Sequence, residues 1–148
     1  MSELKTRIGE ETKTAMKARD KDRLAALRMV NAEIKRVEVD ERRELSDDDI
    51  LDVLTRMLKQ RRDSLGQFEG AGREDLAARE RFEIEVVESF MPAAMSEADI
   101  EALVERVVAE TGAAGRQDMG KVMGAVKAAI TGRADMAVVS AKVKARLG

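Results

Sequence analysis

No cysteine and no histidine occur in the 148 residues. Without thiols there is no disulfide, no thiolate nucleophile and no zinc–thiolate centre. Without imidazole, the commonest general base and the commonest transition-metal ligand are missing as well. No metal and no cofactor is expected. Tryptophan and tyrosine are absent too, and the aromatic complement is Phe68, Phe82 and Phe90. The lone proline, Pro92, leaves long stretches free of helix breakers. No stretch approaches the roughly 18 consecutive apolar residues of a membrane span. The opening Met1-Ser2-Glu3-Leu4-Lys5 is already helix-like, with no apolar leader region. The cytoplasm is the expected compartment, with no membrane contact.

What is present favours helix. Hydrophobic residues make up 44% and charged residues 38% of the chain, the mixture of helices with one apolar and one solvated face. Dense Ala, Glu, Lys and Arg usage supports helix almost everywhere, and strand propensity is weak. A chain of this length buries roughly 68–70% of its unfolded surface, enough for cores of Leu, Val, Ile, Ala and Met. The fold class is all-α.

Helical periodicity recurs seven times. Leu4, Ile8, Ala15 and Met16 mark a first segment over about 3–19, and Leu24, Leu27, Asn31, Ile34 and Val37 a second over about 21–42. Ser46-Asp47-Asp48-Asp49 is a capping box opening a third, with Ile50, Leu54, Leu58, Leu65 and Phe68 on one face. Gly70-Ala71-Gly72 interrupts it, and a fourth helix with Leu76, Ile84, Val87 and Phe90 ends before Pro92. Ser96-Glu97-Ala98-Asp99 is a second capping box, whose helix stops at Gly112. A sixth segment closes at Gly132, and Met136, Val139, Val143 and Leu147 mark a seventh. The expected organisation is a four-helix N-terminal domain over 1–91 and a three-helix C-terminal domain over 96–148.

Net charge is −2, unevenly spread. Residues 116–148 hold Arg116, Lys121, Lys127, Arg133, Lys142, Lys144 and Arg146 against Asp118 and Asp135. A basic end on an acidic chain attracts polyanions through its local field. The acids Asp47, Asp48, Asp49 and Asp52 complement a helix N-terminus and lack the spacing of a calcium loop. Met119-Gly120-Lys121-Val122-Met123-Gly124 lacks the full spacing of a phosphate loop, and no strand precedes it. Close helix packing is the expected reason for Gly120 and Gly124. Gly132 and Asp135 read as helix caps, whereas Arg133 between them has no evident structural duty. Ser64, Ser89 and Ser140 stand in no Gly-rich elbow or Ser-x-x-Lys setting.

Several motifs stand in the order of a known family. Arg61-Arg62-Asp63-Ser64, Phe68, Ala71-Gly72-Arg73, Asp75-Leu76 and Glu80 resemble the GatB/YqeY family. So do Met119–Gly124, Gly132-Arg133-Ala134-Asp135, Val139-Ser140 and the second-helix stretch Leu24–Met29. The resemblance covers essentially the whole chain. It implies an N-terminal helical domain and a three-helix domain similar to the tail of the B subunit of the tRNA-dependent Asp/Glu amidotransferase. In that enzyme the tail helps hold tRNA while the amide chemistry lies elsewhere. Transferred here, it places RNA contact on Lys121, Lys127, Arg133, Lys142 and Lys144. The expected function is a non-catalytic module bound to folded RNA, tRNA foremost, with a translation-related protein as a further partner. The scarcity of aromatics favours phosphate and shape contacts over base stacking. The alternatives are a carbon–nitrogen ligase using glutamine as amido donor, or its accessory, and a protein-interaction scaffold.

The third and fourth segments read as an antiparallel hairpin. Leu65 opposite Leu76, Leu58 opposite Ile84 and Leu54 opposite Val87 all satisfy one register, and Arg61 opposite Glu80 falls in it too. A shielded, bidentate ion pair of those two residues is expected to fix that register.

Lacking Cys, His and any activated serine, the pure protein is expected to release no ammonia from glutamine. Release above a heat-killed control would contradict this.

Overall fold

The computed structural model describes residues 2–130 and 133–148. Among the described residues there are seven α-helices, one short 3₁₀ turn and no strand. The chain divides into two compact units, Met1–Met91 and Pro92–Gly148.

The first unit comprises α1 (Glu3–Lys17), α2 (Lys21–Glu41), α3 (Asp47–Gly70) and α4 (Glu74–Glu88). Three of these helices begin where a short polar side chain accepts the free amides of the first turn. Ser2 accepts from the Lys5 amide, Asp20 from Arg23, and Ser46 from Asp49, whose own carboxylate accepts the Ser46 amide. The first helix stops two residues short of the expected Arg19, because Arg19 adopts a left-handed φ of 56° that turns the chain. Gly72, at φ 70°, makes the turn between α3 and α4. Arg62 meets Glu88 and Glu69 meets Arg81, so partners run in opposite order and the hairpin is antiparallel. Ile8, Leu27, Val30, Ile34, Ile50, Leu54 and Val87 fill the core.

Polar ties from several sides hold α1 in place, among them Asn31 to Thr12 and the Leu4 amide to Asp47. Lys5 Nζ lies 2.8 Å from Glu38 on α2, and that carboxylate also accepts the Leu45 amide ahead of α3. Arg7 lies over the Phe90 ring, 5.0 Å from its centroid, and donates to the Ser89 carbonyl at 2.7 Å.

Arg61 does not grip Glu80 in the expected two-pronged way. Its Nη1 stands 3.4 Å from Glu80 Oε1 and 3.4 Å from Glu83 Oε2, while Nη2 turns to the Met29 sulfur. One guanidinium is therefore forked between two carboxylates one helical turn apart. Both acids are nearly buried, and Arg79 reaches Glu83 from the solvent side at 3.5 Å.

The second unit holds α5 (Glu97–Thr111), a 3₁₀ turn (Arg116–Asp118), α6 (Met119–Ile130) and α7 (Met136–Leu147). Ser96 and Asp99 form the capping box of α5, and Gly112 ends it at φ 67°. The expected closing glycine of α6, Gly132, lies outside the described residues. The core is dominated by valine: Val104, Val107, Val108, Val122, Val126, Val139 and Val143 pack with Ile100 and Ile130. Lys142 meets Glu101 and Arg146 meets Glu105, so α5 and α7 run parallel, with α6 as the return between them.

Two outcomes follow from the first unit. The Asp49 carboxyl is held well below the usual range, chiefly by its hydrogen bond from Arg43 and then by those from Ser46. A depressed acid contributes stability above its unfolded value of about 4 and loses it as pH falls. Asp49→Asn is expected to lose less stability than wild type between pH 5 and pH 2, as read by urea midpoints. Identical acid limbs would contradict this. Arg61→Met leaves the shielded Glu80 without its cation and Glu83 with Arg79 alone, and is expected to cost about 3 kcal/mol. Glu80→Gln costs less, since Arg61 keeps Glu83. Equal losses for the two variants would refute the forked arrangement.

Candidate nucleic-acid interface

The second unit carries eight basic and seven acidic side chains, close to neutral by count. Their positions decide its field. Three aspartates are engaged by backbone amides: Asp99 accepts from Ser96, Asp118 from Ala114 and Gly115, and Asp135 from Ala137. The Ala114 amide holds the Asp118 carboxyl below the usual carboxylate range. Glu97, Glu101 and Glu105 recur every fourth residue along one flank of α5. That flank faces α7, where Glu101 takes Lys142 at 3.0 Å and Glu105 takes Arg146. The hydrogen bond that Lys142 donates to Glu101 raises the Lys142 pKa, with the charges of Glu101 and Glu97 adding to it.

Lys142 is thus only 21% exposed and bound to an acid, so its geometry is that of a helix-to-helix tie. Lys144 is exposed and, at about 100° per residue, lies on the opposite flank of the Val143 ridge. The structure does not bring the two lysines together.

Lys121 and Lys127 are exposed on α6. Gly120, Gly124 and Ala128, four apart and all exposed, form a line between them. Beyond the adjacent residues and the helix's own backbone, no heavy atom lies within 4 Å of where a Cβ would stand on Gly120 or Gly124. Close helix packing is therefore not the reason for these glycines; their face is open. The backbone of α6 is bare along this line, with a lysine at either edge.

Arg133 has a structural duty that its place in the sequence does not reveal. Its Nε donates to the Ala93 carbonyl at 3.1 Å, and its own carbonyl accepts the Met95 amide at 2.9 Å. Sequence reasoning also passed over Arg106. It stands roughly 140° around α5 from Glu101, on the flank toward α6, and its nearest acid, Glu110, is 3.9 Å away with both side chains more than 60% exposed. Helical spacing from the acidic stripe was the available signal. Among the described residues no group of three or more acidic side chains is placed to hold a metal ion, and no helix is long and apolar enough to cross a membrane.

The sequence pattern of the family described as Yqey-like protein matches residues 5–147. Among similar proteins, altered inheritance of mitochondria protein 41, mitochondrial, from Pyrenophora tritici-repentis is 29% identical over 96% of this chain and 80% of its own length. Its namesake from Eremothecium gossypii is 34% identical over 67% of this chain, which spans 54% of that protein. An uncharacterized protein of Schizosaccharomyces pombe is 33% identical over 53% of this chain and 63% of its own length.

The open face of α6 yields a direct check. Gly124→Ala adds a methyl into free space within a helix and is expected to raise stability by about 0.5–1 kcal/mol in chemical denaturation. A loss of stability would restore close packing as the reason for the glycine.

Proposed function

The chain belongs to the Yqey-like protein family, and from that premise we propose that it is a non-catalytic helical module whose second unit binds folded RNA, tRNA foremost, through phosphate contacts. One observation carries this reading. Five of the unit's seven acids are engaged, Asp99, Asp118 and Asp135 by backbone amides and Glu101 and Glu105 by α7, while Lys121 and Lys127 flank an open, small-residue face on α6. A bare helix edged by cations lets a sugar–phosphate strand approach without long side chains in the way. Lys144 and Arg133 belong to the proposed surface. Lys142 does not, because Glu101 holds it. The similarity to an amidotransferase tail supports the same reading, since that tail holds tRNA while chemistry lies elsewhere.

Amide formation has less to stand on. Of the three serines named above, Ser89 donates its hydroxyl to the Val86 carbonyl at 2.6 Å, a turn-closing bond rather than an activated nucleophile. We retain the cytoplasm as the compartment of this chain; the mitochondrial designation belongs to the relatives' names, and folded tRNA is available in either place.

Binding of total tRNA, followed by fluorescence anisotropy across a salt series, tests the proposal. Three or so phosphate contacts give a log–log slope of about −2 to −3. Lys121→Glu with Lys127→Glu is expected to weaken binding by about tenfold or more, whereas Lys142→Gln leaves it within about twofold. A flat salt response, or equal binding by the double reversal, would overturn the reading.

A further inference from the structure

An open groove of about 500 Å³ runs between α5 and the end of α6, wholly within the second unit. Met95, Ala102, Leu103 and Ala129 line it with apolar surface, and Arg106 and Arg133 supply its cations. Its one acid, Asp99, accepts the Ser96 amide as the helix cap at 3.2 Å. Arg133 lines the groove, its guanidinium oriented by the bond that Nε donates to the Ala93 carbonyl. Arg106 has only the distant, exposed Glu110 as counter-charge. By contrast, Arg146 and Lys142 on the other side of α5 are each matched by a glutamate.

The lining holds two guanidinium groups and one carboxylate, and Arg106 has the solvent-exposed Glu110 at 3.9 Å as a further counter-charge. We propose that it seats one phosphodiester of the bound RNA between Arg106 and Arg133, with the attached ribose lying on Met95 and Leu103. This inference rests on the RNA reading above and adds to it a defined seat. The volume lies in the range that takes a small ligand or one unit of a polymer. A phosphodiester brings one negative charge, and planar guanidinium groups match its oxygens in a two-pronged way. The apolar floor suits the C–H edge of a sugar. The groove also borders Ala129 on α6, so a strand seated there continues onto the helix that carries Lys121 and Lys127.

The test uses the full chain and tRNA. Arg106→Gln is expected to weaken binding about fivefold and to reduce the salt slope by about one, the signature of one lost phosphate contact. Arg106→Lys should recover part of that loss. In a methyl NMR spectrum tRNA should shift the Met95 signal of wild type and shift it less in Arg106→Gln. Arg133→Gln is compared only if its melting matches wild type; otherwise the Arg106 variants decide. If Arg106→Gln binds like wild type while Lys121→Glu with Lys127→Glu fails, the groove proposal falls and the RNA reading stands. A weakened affinity with an unchanged salt slope also overturns the groove proposal. No binding of tRNA by wild type removes both. If a short peptide with a free C-terminal carboxylate shifts Met95 and tRNA does not, the occupant is a peptide and the proposal is wrong.

Discussion

The first amides of every α-helix point along its axis with no partner in the helix, and meeting that demand organises the electrostatics of this protein. Ser2, Asp20, Ser46, Ser96 and Asp135 each stand at a helix start and accept one of those amides. In the second unit the same demand places Asp99, Asp118 and Asp135 where backbone amides reach them. Asp118 stays close enough to Lys121 for the two charges to act on each other.

Packing in the two units follows from the shortage of aromatics. The first unit reaches adequate volume with Leu, Ile and Met, and uses Phe90 at the end of its bundle, where Arg7 covers it. The second contains no aromatic and relies on valine. Valine is a modest helix former but is stiff at χ1, so its buried shape is defined and little rotamer freedom is lost on packing. Where the first unit buries charge, it forks one arginine between two glutamates. Such an arrangement specifies register more than it adds net stability, because desolvating three charged groups offsets much of their attraction.

The helices were legible because their signals are local. Apolar spacing, the Ser-x-x-Asp boxes and the glycines at 72 and 112 each act within one or two turns of the backbone. The antiparallel order of α3 and α4 was legible because a short turn leaves little choice. The 3₁₀ turn at Arg116–Asp118 was not, since it depends on Asp118 collecting two amides upstream. The environments of the basic residues were also hidden. Whether Lys142 is free depends on Glu101, forty-one positions away, and nothing local distinguishes it from Lys144. Arg133 was misread for the same reason, its partner being forty positions distant. The glycines of α6 were misread in the opposite sense. Glycine four residues apart suits close packing and open exposure equally, and only the neighbours tell them apart.

The parallel pairing of α5 and α7 raises a question of phase. Both the acids of α5 and the cations of α7 repeat every fourth residue, as do Ile100, Val104 and Val108 on one side and Val139, Val143 and Leu147 on the other. A slide of α7 by four residues, about 6 Å, would set Lys142 against Glu97 and Arg146 against Glu101 and would seat each apolar knob in a similar hole. Charge and hydrophobicity are thus nearly periodic along this seam and do not by themselves select one alignment. The zero of the scale is set at the shared starting end of the two helices. There the Arg133 carbonyl takes the Met95 amide and the Arg133 guanidinium takes the Ala93 carbonyl, fixing the segments that lead into α7 and α5 against each other. A pair of hydrogen bonds at a turn serves as the vernier for a seam that would otherwise fit in more than one position.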